Sequence, residues 1–316
     1  MSVRSSENRA RGSQMEWVRG LSVATLVATY LLLVLGSTVR VTNSGMGCQG
    51  WPLCSGQLSP ISHFHPLMEQ SHRFLATLVT ILIVVLAIVV VRAGPSARHV
   101  RAPALASVGL IVVQTVLGAV TVVTNNAPVT VALHLLVAAL FLGVVTVAAV
   151  TSFIEPGRTW SLLHGPGRLA WAGVGALYLV VISGSVVVDG GAQSACQSWP
   201  LCSSSKASLG LVAIQVVHRS MVLIGSVLII AYLVTVVRSA AVRGAQRKLA
   251  AFALILLGLQ IAVGALSALD SARAGTADVH LALASALWSV VVAVFTLDSR
   301  GAPIDVESSD HPVLVD

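Results

Sequence analysis

The sequence predicts an all-α integral membrane protein whose eight transmembrane helices form two pseudo-symmetric four-helix bundles, a parallel internal repeat. Three observations carry this expectation. Of 316 residues, 56% are hydrophobic and 10% charged, against roughly 25% charged in an ordinary soluble domain. Long charge-free runs recur along the chain. A short motif, CQGWPLC from Cys48 to Cys54, returns as CQSWPLC from Cys196 to Cys202.

The first run, residues 20–39, approaches the ~20 residues that cross a hydrocarbon core as a helix. No A-x-A-like cleavage site precedes the loop that follows it, so it reads as a retained helix and not a removed signal peptide. The second run covers 74–91, two more fall within 102–154, and 169–188, 220–237, 249–269 and 281–297 complete the eight. Pro66 and Pro128 suit the first turns of the second and fourth helices, the latter behind a capping Asn125-Asn126. Glu155-Pro156-Gly157 and Gly165-Pro166-Gly167 punctuate the middle. The expected organisation is therefore an N-terminal segment 1–19, a four-helix half 20–154, a linker 155–168, a second four-helix half 169–297 and a tail 298–316. The acidic end of that tail, Asp305 to Asp316, reads as disordered.

Charge orients the helices. Arg4, Arg9, Arg11, Arg19, Arg92, Arg98, Arg101, Arg158, Arg168, Arg238, Arg243, Arg247, Lys248 and Arg300 fall on one side, fourteen against Arg40, Lys206 and Arg273 on the other. The positive-inside rule puts both termini in the cytoplasm. The net charge of +7 is then a matter of topology, and no nucleic-acid partner is needed to explain it.

Both cysteine motifs fall on the outer, oxidising side, between helices 1 and 2 and between helices 5 and 6. Cys48–Cys54 and Cys196–Cys202 therefore read as small disulfide rings. A two-thiolate metal site is the competing reading, but it lacks further ligands of obvious spacing, and no C-x-x-C-H haem-attachment motif occurs. Trp51 and Trp199 have the commoner role of interfacial anchors open to them.

The repetition runs past the loops. Gly36-Ser37 matches Gly184-Ser185 at the loops' own offset of 148, and after a two-residue slip beyond the loops the offset settles at 146: His72-Arg73 with His218-Arg219, Gln114 and Gly118 with Gln260 and Gly264, His134 with His280. In each half the two histidines are 62 residues apart. His72 and His134 each lie six residues beyond a helix-opening proline, about 9 Å down at 1.5 Å per residue. Two imidazoles at one level inside a four-helix bundle suit a planar haem, whereas zinc needs a third or fourth ligand. Arg73 and Arg219 either meet a haem propionate or snorkel to the headgroups. Gln114 and Gln260 bond a ligand or another helix.

The halves differ three residues before the first histidine, with Glu69 in one and Gln215 in the other. Glu69 shares a helix face with His72, so its carboxyl points to the same cavity. Either it works there, or it favours the positive end of its helix and stays wet. In the first case the N-terminal half does proton-coupled chemistry and the C-terminal half holds a permanent electron-transfer haem.

GSTVRVTNSGMGCQGWPLC, EQSHR on helix 2, the histidine of helix 4, and CQSWPLC with its own HR and His together resemble haem A synthase of the bacterial type with paired loop cysteines, over roughly residues 17–297. The resemblance implies an oxidoreductase that converts a methyl group of haem O to the formyl group of haem A for terminal oxidases. Carried over to this sequence, it makes Glu69 the essential acidic residue and His72 and His134 the substrate-haem pair. His218 and His280 become the ligands of a bound haem B, and the cysteine pairs become loop disulfides. Methyl to aldehyde is a four-electron oxidation, most simply two hydroxylations followed by loss of water from a gem-diol. A haem with two histidine ligands has no open iron position and suits electron relay, which leaves Glu69 to shuttle protons or orient water. His63 and His65 are solvated loop residues or touch substrate. The expected surroundings are the lipid of a bacterial plasma membrane, with haem O and haem A as ligands and the farnesyltransferase that makes haem O as a candidate partner. The competing readings are a dihaem b-type electron-transfer cytochrome, which needs no Glu/Gln asymmetry, and a transporter or haem-handling chaperone, poorly served by two histidine pairs.

Overall fold

A computed structural model describes residues 2–48, 50, 53–54, 56, 63–154, 158–160, 166–203, 206–240, 242, 244–271 and 273–303. Among these are eight α-helices: α1 Ser2–Val41, α2 Phe64–Ala93, α3 Arg98–Val123, α4 Pro128–Thr151, α5 Arg168–Asp189, α6 Leu209–Arg238, α7 Gly244–Leu269 and α8 Ala274–Asp298. A short antiparallel pair, β1 Arg158–Trp160 and β2 Arg300–Pro303, is also present among the described residues. Seven stretches are long and apolar enough to cross a membrane, and the longest, Phe64–Val123, spans 60 residues. That stretch holds α2, a 3-10 turn Gly94–Ala97 and α3. Gly94, at φ 60 and ψ −133, takes a positive-φ conformation open to glycine where α2 ends, and α3 then packs back against α2. The chain is a multi-pass, essentially all-helical membrane protein.

The helices outrun the charge-free windows. Where the sequence suggests 74–91 and 220–237, α2 opens at Phe64 and α6 at Leu209. A charged residue does not end a helix whose backbone is satisfied internally, and Arg73 and Arg219 sit inside these helices. Pro66 is accordingly the third residue of α2 and not its first, still within the turn whose N–H groups lack helical partners. α4 does open at Pro128, but Ala127 is its cap. Asn125 and Asn126 instead supply two left-handed residues, φ 52 and 56, to the α3–α4 turn. Residues 2–19, expected as a separate segment, continue α1. The linker punctuation at 155–157 and 165 and the acidic tail lie outside the described residues.

The main packing partners are α1 with α2, α3 with α4, α5 with α6, and α7 with α8. α2 also meets α3 and α6 meets α7, while α1–α4 and α5–α8 contacts close each set of four. Between the sets, α4 packs on α8, α1 on α8 and α4 on α5. Leu142, Leu177, Ile229, Leu233, Leu287 and Val291 are buried in the largest core cluster, which joins the two sets. Gly143 lets the Trp288 indole approach so closely that a Cβ there would stand 3.1 Å from its ring, and Trp288 Nε1 donates to Ala139 O at 2.7 Å. Apolar lipid gives no hydrophobic push between helices, so such tight contacts and inter-helix hydrogen bonds hold them together. Near the C-terminal ends of α1 and α5, Arg40 ion-pairs with Asp189, and Thr38 Oγ1 donates to Asp278 at 2.6 Å, tying α1 to α5 and α8. Leu223, Ile224 and Val112 are exposed, as suits side chains facing acyl chains.

Candidate functional site

Each of the four histidines packs against a glycine of a neighbouring helix. A Cβ added to Gly36 of α1 would lie 3.1 Å from His72 Nε2. The same atom on Gly118 of α3 would lie 3.4 Å from His134 Cε1, on Gly184 of α5 3.3 Å from His218 Cε1, and on Gly264 of α7 2.8 Å from His280 Cε1. The missing side chain gives every ring a flat backbone wall on one side. His72 and His134 thus lie within the set α1–α4, and His218 and His280 within the set α5–α8, two to each set.

The donor set fits a group that brings its own equatorial ligands. No cluster of three or more His, Cys, Asp or Glu side chains exists among the described residues, whereas a haem iron needs only two axial donors. Nδ1 of His134 and Nδ1 of His280 are buried with no hydrogen-bond partner among the described residues. Gln260 Nε2 lies 3.3 Å from His280 Nε2, while Gln114 Oε1 and Gln260 Oε1 are themselves buried without a partner among the described residues.

Above the histidines the loops are tied down by the arginines. Both rings are closed, Cys48–Cys54 and Cys196–Cys202. Arg73 Nη1 donates to Gly50 O at 2.9 Å. Its equivalent, Arg219, donates to Ser198 O at 2.7 Å, Pro200 O at 3.2 Å and Cys196 O at 3.0 Å. Gly50 and Ser198 are related by the 148-residue offset, so this tether is common to both halves. Both guanidinium groups bond backbone carbonyls of their own cysteine loops.

Glu69 makes the first loop different. Its side chain is 6% exposed; Oε1 ion-pairs with Arg73, one turn on, and Oε2 accepts from the Cys48 backbone N–H at 2.8 Å. The carboxylate is thus buried and doubly bonded, not wet at the helix end. Gln215 reverses the polarity: its Nε2 donates to Ala192 O at 2.9 Å and Gln193 O at 3.3 Å. Where the first half offers Arg73 a carboxylate, the second offers Arg219 the Cys196 carbonyl.

His63 and His65 are both exposed, and His65 Nδ1 lies 2.9 Å from Ser44 Oγ. Trp199 is 52% exposed, as an interfacial anchor should be, and Trp51 lies outside the described residues. Two features escape motif reading. The glycine under each histidine is visible in sequence only as a residue that repeats between the halves, Gly36 with Gly184 and Gly118 with Gly264. Ser183, whose Oγ lies 2.8 Å from His218 Nδ1, has Leu35 as its repeat partner and leaves no repeat signal at all.

Comparison with known proteins places these features in context. Residues 19–292 match the COX15-CtaA family model, described as cytochrome oxidase assembly protein. The chain is 30% identical over 304 residues to the haem A synthase of Geobacillus kaustophilus, covering 91% of this chain and 93% of that one. It is 30% identical over 288 residues to the haem A synthase of Symbiobacterium thermophilum, covering 88% and 94%. It is 34% identical over 188 residues to that of Geobacillus thermodenitrificans, covering 58% and 59%.

Proposed function

The chain belongs to the COX15-CtaA family of cytochrome oxidase assembly proteins, and from this premise we infer that it is a haem A synthase, an oxidoreductase converting haem O to haem A. The observation that supports this reading best is the pair of equivalent histidine sites, each ring on a glycine wall, with the buried Glu69 carboxylate before His72 where the second half has Gln215 before His218.

In this reading His72 and His134 hold the substrate haem O, and His218 and His280 hold a resident haem B, which supplies one-electron redox chemistry when bound. The second-sphere contacts favour this division. The Ser183 hydroxyl engages His218 Nδ1, fixing the ring and leaving its Nε2 for iron, as ligating histidines of permanent sites are usually held. The equivalent of Ser183 is Leu35, so His72 lacks this restraint, which suits a site that must take up substrate and release product. Glu69 is the catalytic candidate. It lies one turn before His72, and its carboxylate sits between a guanidinium and a loop N–H, where it can take or deliver a proton by exchanging one of these bonds. The loop above excludes water and positions the outer rim of the substrate, while Arg73 carries the loop and steadies the carboxylate.

The finer architecture follows from the same reading. The 60-residue apolar stretch crosses the membrane twice, at α2 and α3, so that eight helices span the bilayer as two four-helix bundles related by a parallel repeat. The first, 20–154, is catalytic, and the second, 169–297, is the haem B half. Both termini lie in the cytoplasm of a bacterial cell whose plasma membrane holds the protein, and the farnesyltransferase that makes haem O is the natural supplier. The test is Glu69→Gln, which copies the other half. Both haem sites should stay filled while haem A ceases to accumulate, and a normal haem A yield would remove Glu69 from the chemistry.

A further inference from the structure

The chain has three tyrosines, and two of them are related by the repeat. Tyr30 of α1 and Tyr178 of α5 are 148 residues apart, the offset of the first helices. Tyr30 Oη donates to Ala282 O of α8 at 3.2 Å, and Tyr178 Oη donates to Leu136 O of α4 at 3.0 Å. Leu136 and Ala282 are themselves 146 residues apart, the offset of the later helices, and each stands two residues after a site histidine, His134 or His280. The two bonds are therefore one bond made twice, and both cross between the halves.

We propose that Tyr30 and Tyr178 are a crossed pair of positioning residues, each setting the rotation of the ligand helix in the opposite half: Tyr30 acts on His280, Tyr178 on His134. This rests on the reading of those histidines as haem ligands. Residue i+2 of a helix lies roughly 200° round from residue i, so each phenol grips the helix from the side away from its histidine. The carbonyl it reaches keeps a second lone pair beside its helical bond, which lets the phenol add a bond without breaking the helix. A half-buried tyrosine also favours some partner for its hydroxyl, but that need does not select the same register in both halves. The third tyrosine shows the contrast, since Tyr232 bonds the Asp298 carboxylate at the other end of α8. The pair is also braced unequally. Tyr178 packs on Trp288 with ring centroids 5.5 Å apart, and Trp288 bonds α4 as well, whereas the repeat partner of Trp288 is Leu142. Among the described residues Tyr30 has no such ring contact, so its loss is felt more.

The test uses the full-length protein carrying haem, with Tyr30→Phe, Tyr178→Phe and Tyr232→Phe. The readouts are the low-spin electron paramagnetic resonance spectrum, the midpoint potential of each haem and its rate of release to an apo-protein trap. Tyr30→Phe should shift the spectrum and potential of the haem held by His218 and His280. That haem should leave about two- to tenfold faster, the factor expected for one neutral hydrogen bond. Tyr178→Phe should shift only the site of His72 and His134, and by less; Tyr232→Phe should shift neither. Effects confined to the half that carries the substituted tyrosine, or unchanged spectra in both variants, overturn the crossed pair. A wild-type protein with no low-spin haem lost on His280→Ala would instead sink the underlying haem-ligand reading.

Discussion

Replacing Glu69 by Gln keeps the volume of the side chain but leaves it one acceptor oxygen in place of two. In the structure two donors claim those oxygens, the Arg73 guanidinium and the Cys48 N–H, in a site where the Glu69 side chain is 6% exposed. One charge-assisted bond must go, at a cost of about 1.5–3 kcal/mol. Arg73 keeps its bond to Gly50 O, so the loop is loosened and not released. At about 1.4 kcal/mol per factor of ten, the open fraction of the first loop should rise about ten- to a hundredfold. Opening exposes the Cys48–Cys54 bond, so its reduction by a membrane-impermeant phosphine reports the change, provided reclosing is fast relative to reaction. Cys196–Cys202 in the same molecule is the internal control, since Arg219 holds that loop without any carboxylate. Mass spectrometry of alkylated peptides gives both rates. Equal acceleration of both disulfides, or none of the first, would refute the tether. Arg73→Gln loosens the same loop from the other partner. If haem A yield tracks loop opening alike in both variants, Glu69 has no role beyond holding the loop.

The remaining predictions concern the pairs, the walls and the orientation. His218→Ala or His280→Ala should remove the resident haem from purified protein, whereas His72→Ala or His134→Ala should keep it and lose haem O; pyridine haemochrome spectra separate the cases. Gly264→Ala places a methyl 2.8 Å from His280 Cε1 and Gly118→Ala one 3.4 Å from His134 Cε1. The first should therefore displace its ring and weaken haem retention markedly, the second only slightly, and the order of the two haem-release rates checks the wall argument. The chain has two lysines, Lys206 and Lys248, both exposed and assigned to opposite sides. An impermeant amine reagent on intact cells should modify Lys206 alone, and labelling of Lys248 would invert the topology.

Periodic and repeated features are legible in the amino-acid sequence by themselves. Hydropathy places the helices because a bilayer leaves few alternatives for the backbone, and the equal offsets of His72/His218 and His134/His280 single out the histidines. Helix starts are not legible, because a run that stops at Arg73 or Arg219 measures charge, while the helix continues until a loop takes over its backbone bonds. For the arginines, sequence offers haem or headgroups as partners; that they bind loop carbonyls depends on how the loop folds over the helix. Ser183 and the crossing of Tyr30 and Tyr178 belong to contacts between helices, which a repeat can flag, as with the tyrosines, but whose partners it does not name. The Glu69/Gln215 difference is plain in the sequence. Its consequence, an acceptor for the Cys48 N–H in one half and a donor to carbonyls in the other, is set by the path of each loop over its helix.

The central claim is that one half turns over a haem while the other keeps one. Extracting the pigments from protein purified out of cells that make haem O tests it most directly. The account predicts about one haem B per chain together with haem O, its hydroxylated form or haem A. Haem B alone at two per chain, unaltered when haem O is supplied, would contradict it and identify an electron carrier instead.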